Sequence, residues 1–195
     1  KLGAFLELHI EQGPLLEAEG KTVGVVDRGQ GIIWYDGRVT GFESHAGTTP
    51  MPLRRDALSA LSEVALAIEK IALAHAPNAV ATIGEVNIAN PSRNVIPGEI
   101  AFTLDVRSPD AAVMDALDRD IRAALSEIAT RRRVDIKLDQ IWRKPPTIFD
   151  NKLVDAVQAA ATELGYSYRR ITSGAGHDAC NVASVIPAAM IFVPC

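Results

Sequence analysis

The sequence has little cysteine: Cys180 and Cys195 are the only two among its 195 residues. Their spacing gives neither a CxxC metal motif nor a disulfide framework, which argues against a zinc ribbon and against a small disulfide-stabilised secreted domain. Free thiols suit a reducing compartment. We therefore expect a cytoplasmic protein.

An excess of basic charge and long apolar runs are also missing. The formal net charge is -4 and the 20 basic residues are spread along the chain, so electrostatics give no argument for a nucleic-acid partner. One basic run, Arg131–Arg133, falls at the end of a predicted helix, where cations complement the negative end of the helix dipole. No apolar run approaches the ~20 residues that a membrane-spanning helix needs. We expect neither nucleic acid nor a membrane as a partner.

Hydrophobic periodicity divides the chain into three segments. Between residues 31 and 142 it predicts the order strand, helix, strand, strand, helix, strand, which is typical of a ferredoxin-like βαββαβ sandwich. We therefore predict an α/β fold in which a ferredoxin-like domain, 29–145, is inserted between two parts of an α/β domain, 1–28 and 146–195. Strand-like apolar patterns at both ends also predict that the sequence is a piece of a longer protein.

Some local signals refine this prediction. The pair Asp36-Gly37 is a strong turn signal and predicts a break in the first strand of the inserted segment. The two long helices are predicted over 53–75 and from a cap at Ser108 or Asp110 onward. The stretch RKPPTIFDN predicts a linker.

His9 is the first candidate for chemistry. In LELHIEQGP it lies at the carboxyl end of a predicted strand, with Glu7, Glu11 and Gln12 around it. Ligand sites in open α/β sheets gather beyond the carboxyl ends of strands. Imidazole there is a good ligand for zinc or manganese, and a nearby carboxylate can orient its second nitrogen. The spacing alone fits a packing or hydrogen-bonding histidine more often than a ligand.

Three further positions are candidates for binding. His45 lies in ESHAGTTPMPLRRDA, a loop whose glycine and prolines restrict the backbone directly before a predicted helix. His177 opens a short helix after TSGAG, where free N–H groups attract anions, although a plain strand-to-helix turn is the commoner explanation. Arg107 ends the strand FTLDVRS. Its guanidinium could hold a substrate carboxylate, or it could pair with Asp105 or Asp110 on the surface, which is the commoner outcome.

Four motifs together resemble those of one family. They are LELHIEQGP, GFESHAGTTPMPLRRDA, NVIPGEIAFTLDVRS and SGAGHDA, in this order. In sequence and separation they are similar to motifs of the amidase/hydantoinase–carbamoylase family of metal-dependent amidohydrolases. This family contains N-carbamoyl-L-amino-acid hydrolases, allantoate amidohydrolases and one branch of β-ureidopropionases, within the aminoacylase-type dinuclear metallopeptidase superfamily. The resemblance runs nearly from end to end of the chain, and it does not separate the members.

The resemblance implies a fold and a site. The fold is an α/β catalytic domain with two divalent metal ions per full-length subunit and an inserted ferredoxin-like lid that forms a homodimer. Zinc, manganese, cobalt or nickel would suit histidine and carboxylate ligands. His9 is implied to be a metal ligand, and His45 is implied to reach the partner subunit's active site from the lid. The residues implied to bind substrate are Gln12, His45, Asn94, Arg107 and Gly176.

The implied reaction is hydrolysis of a linear ureido C–N bond in a small-molecule acid. N-carbamoyl-L-amino acids, which would give the amino acid, CO2 and ammonia, are the first choice. Allantoate and N-carbamoyl-β-amino acids are the alternatives. Negative charge grows on the ureido carbonyl oxygen during attack, and a histidine in a stiff loop can donate a hydrogen bond to it. We hypothesise that His45 is this catalytic donor.

Departures from the family pattern keep rivals open. The family's metal centre also needs a histidine, a bridging aspartate and an adjacent glutamate pair before LELHIEQGP, and a histidine after MIFVP. The sequence contains no HxD stretch and no Glu-Glu pair. We therefore expect the chain alone to be inactive, and a rival hypothesis is a non-catalytic dimerisation or binding module. A dipeptidase is a second rival, but peptidases of the superfamily are expected to place a carboxylate at the position of His9.

Overall fold

The computed structural model describes residues 3–195, which form two compact units. One unit comprises the residues up to 31 together with 145–195, and the other comprises 32–144. The roles predicted for the segments 1–28, 29–145 and 146–195 stay predictions.

Strands and helices alternate along the chain, and the predicted α/β class is confirmed. The strands are β1 (Phe5–Ile10), β2 (Val23–Gly29), β3 (Gly31–Thr40), β4 (Ser44–His45), β5 (Val80–Ile88), β6 (Val95–Ile96), β7 (Glu99–Ser108), β8 (Asp135–Lys144), β9 (Thr147–Ile148), β10 (Tyr168–Ser173) and β11 (Ala188–Val193). The helices are α1 (Leu15–Ala18), α2 (Ala57–Ala74), α3 (Ala111–Arg132), α4 (Asn151–Glu163) and α5 (Asp178–Val182), with a 3-10 turn at Met51–Leu53. Among residues 3–195, no helix has the length and apolarity required to cross a membrane.

The first unit is built on a five-stranded sheet. Its order is β1-β11-β2-β10, with β9 paired to β2. β1 runs parallel to β11 and β10 runs parallel to β2, whereas β11 and β9 run antiparallel to β2. Apolar side chains of β2, α4 and β11 form the core, with Val25, Val154, Met190 and Phe192 among them. β1 is the outermost strand on one side of this sheet. The candidate His9 lies near its carboxyl end, and Gln12 lies in the loop that follows.

The second unit is built on a four-stranded sheet in the order β5-β7-β3-β8. The pairs β5–β7 and β3–β8 are antiparallel. Helices α2 and α3 pack against it, and the core includes Val64, Met114, Leu117 and Ile121 from the helices. The order of these six elements along the chain is strand, helix, strand, strand, helix, strand, as the periodicity predicts.

Alternation along β7 decides which side chains enter that core. Ile100, Phe102, Leu104, Val106 and Ser108 are buried, so the residues between them lie on the opposite face of the sheet. Arg107 is one of these. Asp110, rather than Ser108, caps α3, because its carboxylate accepts the N–H groups of residues 112 and 113.

The predicted break at Asp36-Gly37 is wrong, because β3 continues through both residues. Gly37 is required there for a packing reason, since a Cβ at this position would overlap the ring of Phe102. The linker RKPPTIFDN contains the short strand β9, which pairs with β2. A two-residue ribbon of β4 and β6 was not predicted either.

Candidate metal and substrate site

Glu7, His9 and His177 form a cluster in the first unit. Glu7 and His9 are two residues apart on β1, and alternation puts their side chains on the same face. One potential ligand atom from each of the three residues lies within 4.8 Å of the other two. The rings of His9 and His177 meet edge to face, with their centroids 4.7 Å apart. The structure therefore brings together a partial set of metal ligands.

The orientation of His9 is fixed by the backbone. Its Nδ1 lies 2.8 Å from the carbonyl oxygen of Ile10. A carbonyl can only accept, so Nδ1 donates, and in the neutral ring Nε2 carries the lone pair. This is the arrangement in which histidine ligates a metal through Nε2. The suggestion that a carboxylate orients the second nitrogen of His9 is wrong, since the Ile10 carbonyl binds that nitrogen.

His177 is buried beside His9. Its Nε2 lies 2.8 Å from the Ser173 hydroxyl, and its Nδ1 lies 3.6 Å from a carboxylate oxygen of Glu7. The other Glu7 oxygen accepts the N–H of Ala179 at 2.7 Å. Burial, and then the neighbouring imidazole of His9, lower the pKa of His177 against the opposing effect of nearby carboxylates. The ring thus favours its neutral form, which is also the form that can bind a metal.

The donor set of this cluster fits a divalent ion such as zinc or manganese. Two imidazoles and one carboxylate are ligands that these ions accept. Glu7 is also hydrogen-bonded to Ala179 of α5 and His177 to Ser173, whereas Nε2 of His9 keeps its lone pair in the neutral ring. The cluster therefore fits His9 as a ligand whose neighbours Glu7 and His177 hold it in place. No sequence spacing indicated the contact with His177, because it depends on the loop after β10.

Gln12 and Gly176 are adjacent in sequence to this cluster. Gln12 is exposed in the loop after β1 and has φ +59°, a left-handed conformation that is uncommon outside glycine. Glu11 fixes the same loop, since its buried carboxylate accepts the N–H groups of Leu15 and Leu16 at 2.8 and 2.7 Å. Gly176 directly precedes His177 and is exposed, and a Cβ there would meet nothing within 4 Å.

His45 and Asn94 lie together in the second unit. β4 pairs with β6, and the N–H of Ala46 donates to the carbonyl oxygen of Asn94 at 2.8 Å. The Nδ1 atom of His45 accepts the N–H groups of Gly47 and Thr48, at 3.0 and 3.2 Å. In the neutral ring the proton is therefore on Nε2, which makes Nε2 a hydrogen-bond donor. The exposed His45 is held in one tautomer by its own loop.

Arg107 pairs with Asp105 on the open face of the sheet. Its Nε and Nη2 donate to the two carboxylate oxygens at 2.8 and 2.6 Å, and the Trp34 indole N–H donates to the same carboxylate at 2.9 Å. Burial raises the pKa of Asp105, but the hydrogen bonds from Arg107 and Trp34 outweigh burial and leave the pKa below its usual value. The pairing with Asp105 that the sequence left open is therefore present, and the role of Arg107 in substrate binding stays a prediction.

Comparison with known proteins identifies the family. The sequence model of peptidase family M20/M25/M40 matches residues 1–195. The chain belongs to this family. An N-carbamoyl-L-amino-acid amidohydrolase from Rhizobium meliloti is 43% identical over 195 residues, covering 100% of this chain and 47% of the relative. Allantoate amidohydrolase from Escherichia coli (strain K12) is 38% identical over 196 residues, covering 98% of this chain and 46% of the relative.

A solved structure is similar to this chain over its whole length. A hydantoinase/carbamoylase family amidase from Burkholderia ambifaria superposes with a TM-score of 0.97 at 50% identity, covering 100% of this chain and 48% of that one. The resemblance to the hydantoinase–carbamoylase amidases is thereby confirmed. The chain spans about half the length of the curated relatives it matches.

Proposed function

We propose that this chain is part of a metal-dependent amidohydrolase that cleaves the ureido C–N bond of N-carbamoyl-L-amino acids. The observation that carries the proposal is the cluster of Glu7, His9 and His177, in which the hydrogen bond from Nδ1 of His9 leaves Nε2 as the nitrogen with the lone pair. Relatives named N-carbamoyl-L-amino-acid amidohydrolase, at 43% and 40% identity, support this substrate class. Relatives named allantoate amidohydrolase, at 38% and 35% identity, support allantoate as the second candidate. The non-catalytic rival is not favoured, because these relatives are named as hydrolases.

Members of the M20 family generally depend on two metal ions, and we propose two divalent ions per full-length subunit, with zinc, manganese, cobalt and nickel as candidates. Bound ions of this kind activate water for attack and polarise a carbonyl group. Within this chain His9 would hold a metal through Nε2, and Glu7 and His177 would keep the ring in place.

We assign the hydrogen bond to the substrate's carbonyl oxygen to His45. The two N–H groups that bind Nδ1 leave Nε2–H as the donor, already oriented before the reaction begins. A donor that needs no reorganisation stabilises developing charge better than a mobile one.

The proposed substrate-orienting residues are Gln12, Asn94, Arg107 and Gly176. The left-handed backbone of Gln12 supports a functional constraint, since such a conformation costs on the order of 1 kcal/mol and is kept where a site requires it. The backbone carbonyl of Asn94 accepts the N–H of Ala46, the residue after His45, and this supports a shared role.

We propose that residues 32–144 are the lid and the homodimerisation domain. Their element order and the sheet order β5-β7-β3-β8 support a ferredoxin-like sandwich. In this proposal His45 acts on a substrate bound in the partner subunit, and the protein works in the cytoplasm, where Cys180 and Cys195 stay reduced.

The test uses the protein expressed from its complete reading frame. Ammonia release is measured from a panel of N-carbamoyl-L-amino acids and from allantoate, before and after chelation, and bound metal is counted by elemental analysis. We expect His9→Ala to lose metal and activity together, whereas His75→Ala, at the end of α2, keeps both. Full activity in the chelated protein or in the His9→Ala variant would contradict the proposal.

A further inference from the structure

The loop that carries His45 is closed at its neck. The N–H of Phe42 donates to the carbonyl oxygen of Arg55 at 2.8 Å, which joins the two ends of the segment 42–55. Gly41 allows this close approach, because a Cβ there would overlap the same carbonyl oxygen. A loop closed in this way keeps its shape only if its interior polar groups find partners.

Arg54 supplies these partners from inside the loop. Its Nη2 donates to the carbonyl oxygen of Ala46 at 2.7 Å, and its Nε donates to that of Thr49 at 3.1 Å. These two carbonyls lie on either side of Gly47 and Thr48, whose N–H groups bind His45 Nδ1. The planar guanidinium can bind two carbonyls at fixed separation, which a lysine ammonium does less well.

Arg133 anchors the returning side of the loop to α3. It stands at the end of that helix in a left-handed conformation, φ +57°. Its Nη2 donates to the carbonyl oxygens of Pro52 and Arg54, at 2.5 and 3.2 Å, and its own carbonyl accepts Arg55 Nε at 2.7 Å. The segment that carries the Arg54 side chain is therefore attached to a long helix rather than to another loop.

We propose that Arg54 is a positioning residue for His45. By fixing the carbonyls of Ala46 and Thr49 it keeps the N–H groups between them directed at Nδ1, so that Nε2–H is presented in one orientation. The inference rests on the proposed role of His45 as the donor to the carbonyl oxygen. Arg54 itself touches no substrate in this proposal and acts only through the loop.

The experiment is a double-mutant cycle in the protein expressed from its complete reading frame, with kcat and KM measured for His45→Ala, Arg54→Ala and the double variant. We expect His45→Ala to lower kcat by about 10²–10³. Arg54→Ala should lower kcat by about 10–10², with KM changed by less than about twofold, because misplacing a catalytic group affects the reaction step. In the His45→Ala background, the same Arg54 substitution should change kcat by less than about twofold.

Three further measurements separate positioning from general damage. Arg54→Lys, which keeps the charge, should retain folding as judged by circular dichroism and still lower kcat. Amide exchange of residues 45–49 should be faster in both Arg54 variants. Arg119→Lys, on the exposed side of α3, is the matched control and should resemble the unmodified protein.

The outcomes are distinguishable. Unchanged kcat in His45→Ala would overturn the proposed role of His45 and, with it, this inference. If His45→Ala lowers kcat but Arg54→Ala does not, or if the Arg54 effect is equally large without His45, the positioning role alone is overturned. Unchanged exchange at 45–49 would overturn it as well.

Discussion

His9 and His45 are held in opposite tautomers by their own backbones. A carbonyl accepts from Nδ1 of His9, whereas two N–H groups donate to Nδ1 of His45. The other nitrogen, Nε2, consequently carries the lone pair in the first ring and an N–H group in the second. One ring is suited to a cation and the other to developing negative charge, which matches the metal and carbonyl-oxygen roles proposed for them.

The pair Asp36-Gly37 is a turn signal, but in the structure Gly37 lies within β3, against the ring of Phe102. The importance of this contact can be tested. Gly37→Ala places a Cβ inside the ring of Phe102, so we expect a loss of about 1–3 kcal/mol in the free energy of unfolding. The matched control is Gly84→Ala, where the nearest atom would be the Thr103 hydroxyl at an ordinary 3.7 Å. Urea unfolding curves of the two variants measure the difference. Equal losses in both would show that overlap with Phe102 is not the cause.

The sequence singles out candidate residues but does not indicate all of their contacts, for a physical reason. His9, His45, Arg107 and His177 are recognisable because each lies in a contiguous motif. The contact of His177 with His9 and those of Arg54 with two carbonyls depend on loop geometry, and no local pattern encodes which carbonyl a guanidinium reaches. The pairing of Arg107 with Asp105 was open in the sequence for the same reason.

At the scale of elements, α2 and α3 are joined by an ion cluster. Glu63 of α2 pairs with Arg131 at 2.6 Å and accepts the Nε of Arg132 at 2.7 Å. These hydrogen bonds lower the pKa of Glu63 to about 2. The basic run at the end of α3 thus does more than complement the helix dipole.

This cluster predicts a pH dependence of stability. The folded-state pKa of Glu63 is below its unfolded value, so the stabilisation is present above the unfolded pKa of about 4.5 and is lost as the pH falls towards 2. We expect Glu63→Gln to lower Tm at pH 7 and to have a much smaller effect near pH 2, where about half of the carboxyl groups are protonated in the folded state. Thermal melts across this range measure it, with Glu69→Gln on the exposed side of α2 as control. A Tm difference that is constant with pH would contradict the prediction.

Long elements were predictable and two-residue strands were not. The periodicity of α2 and α3 extends over 18 and 22 residues, and each helix has an aspartate cap. The ribbon of β4 and β6 joins positions about 50 residues apart in sequence, and β9 pairs with β2 across more than 100 residues. Such short strands exist only because of their partners, and their own residues carry no periodic signal.

At the scale of the whole molecule, the second unit has the properties of an independent domain. Its first and last strands pair with each other, with Ile32 opposite Lys144. The chain therefore enters and leaves this unit at one place, and cutting there opens no strand pair within its sheet. The unit also has a hydrophobic core of its own, drawn from both helices and from the sheet.

We accordingly predict that residues 31–145, expressed alone, fold cooperatively. At 115 residues the segment is well above the ~40–60 residues at which a single core becomes marginal. Both tryptophans of the sequence, Trp34 and Trp142, lie in it with their rings 4.9 Å apart, so near-ultraviolet circular dichroism reports on its packing. We expect a single thermal transition with a near-ultraviolet signal, which Leu117→Asp in the buried core should abolish. If the unsubstituted segment shows no transition, the prediction is wrong and the core of this unit needs the remainder of the chain.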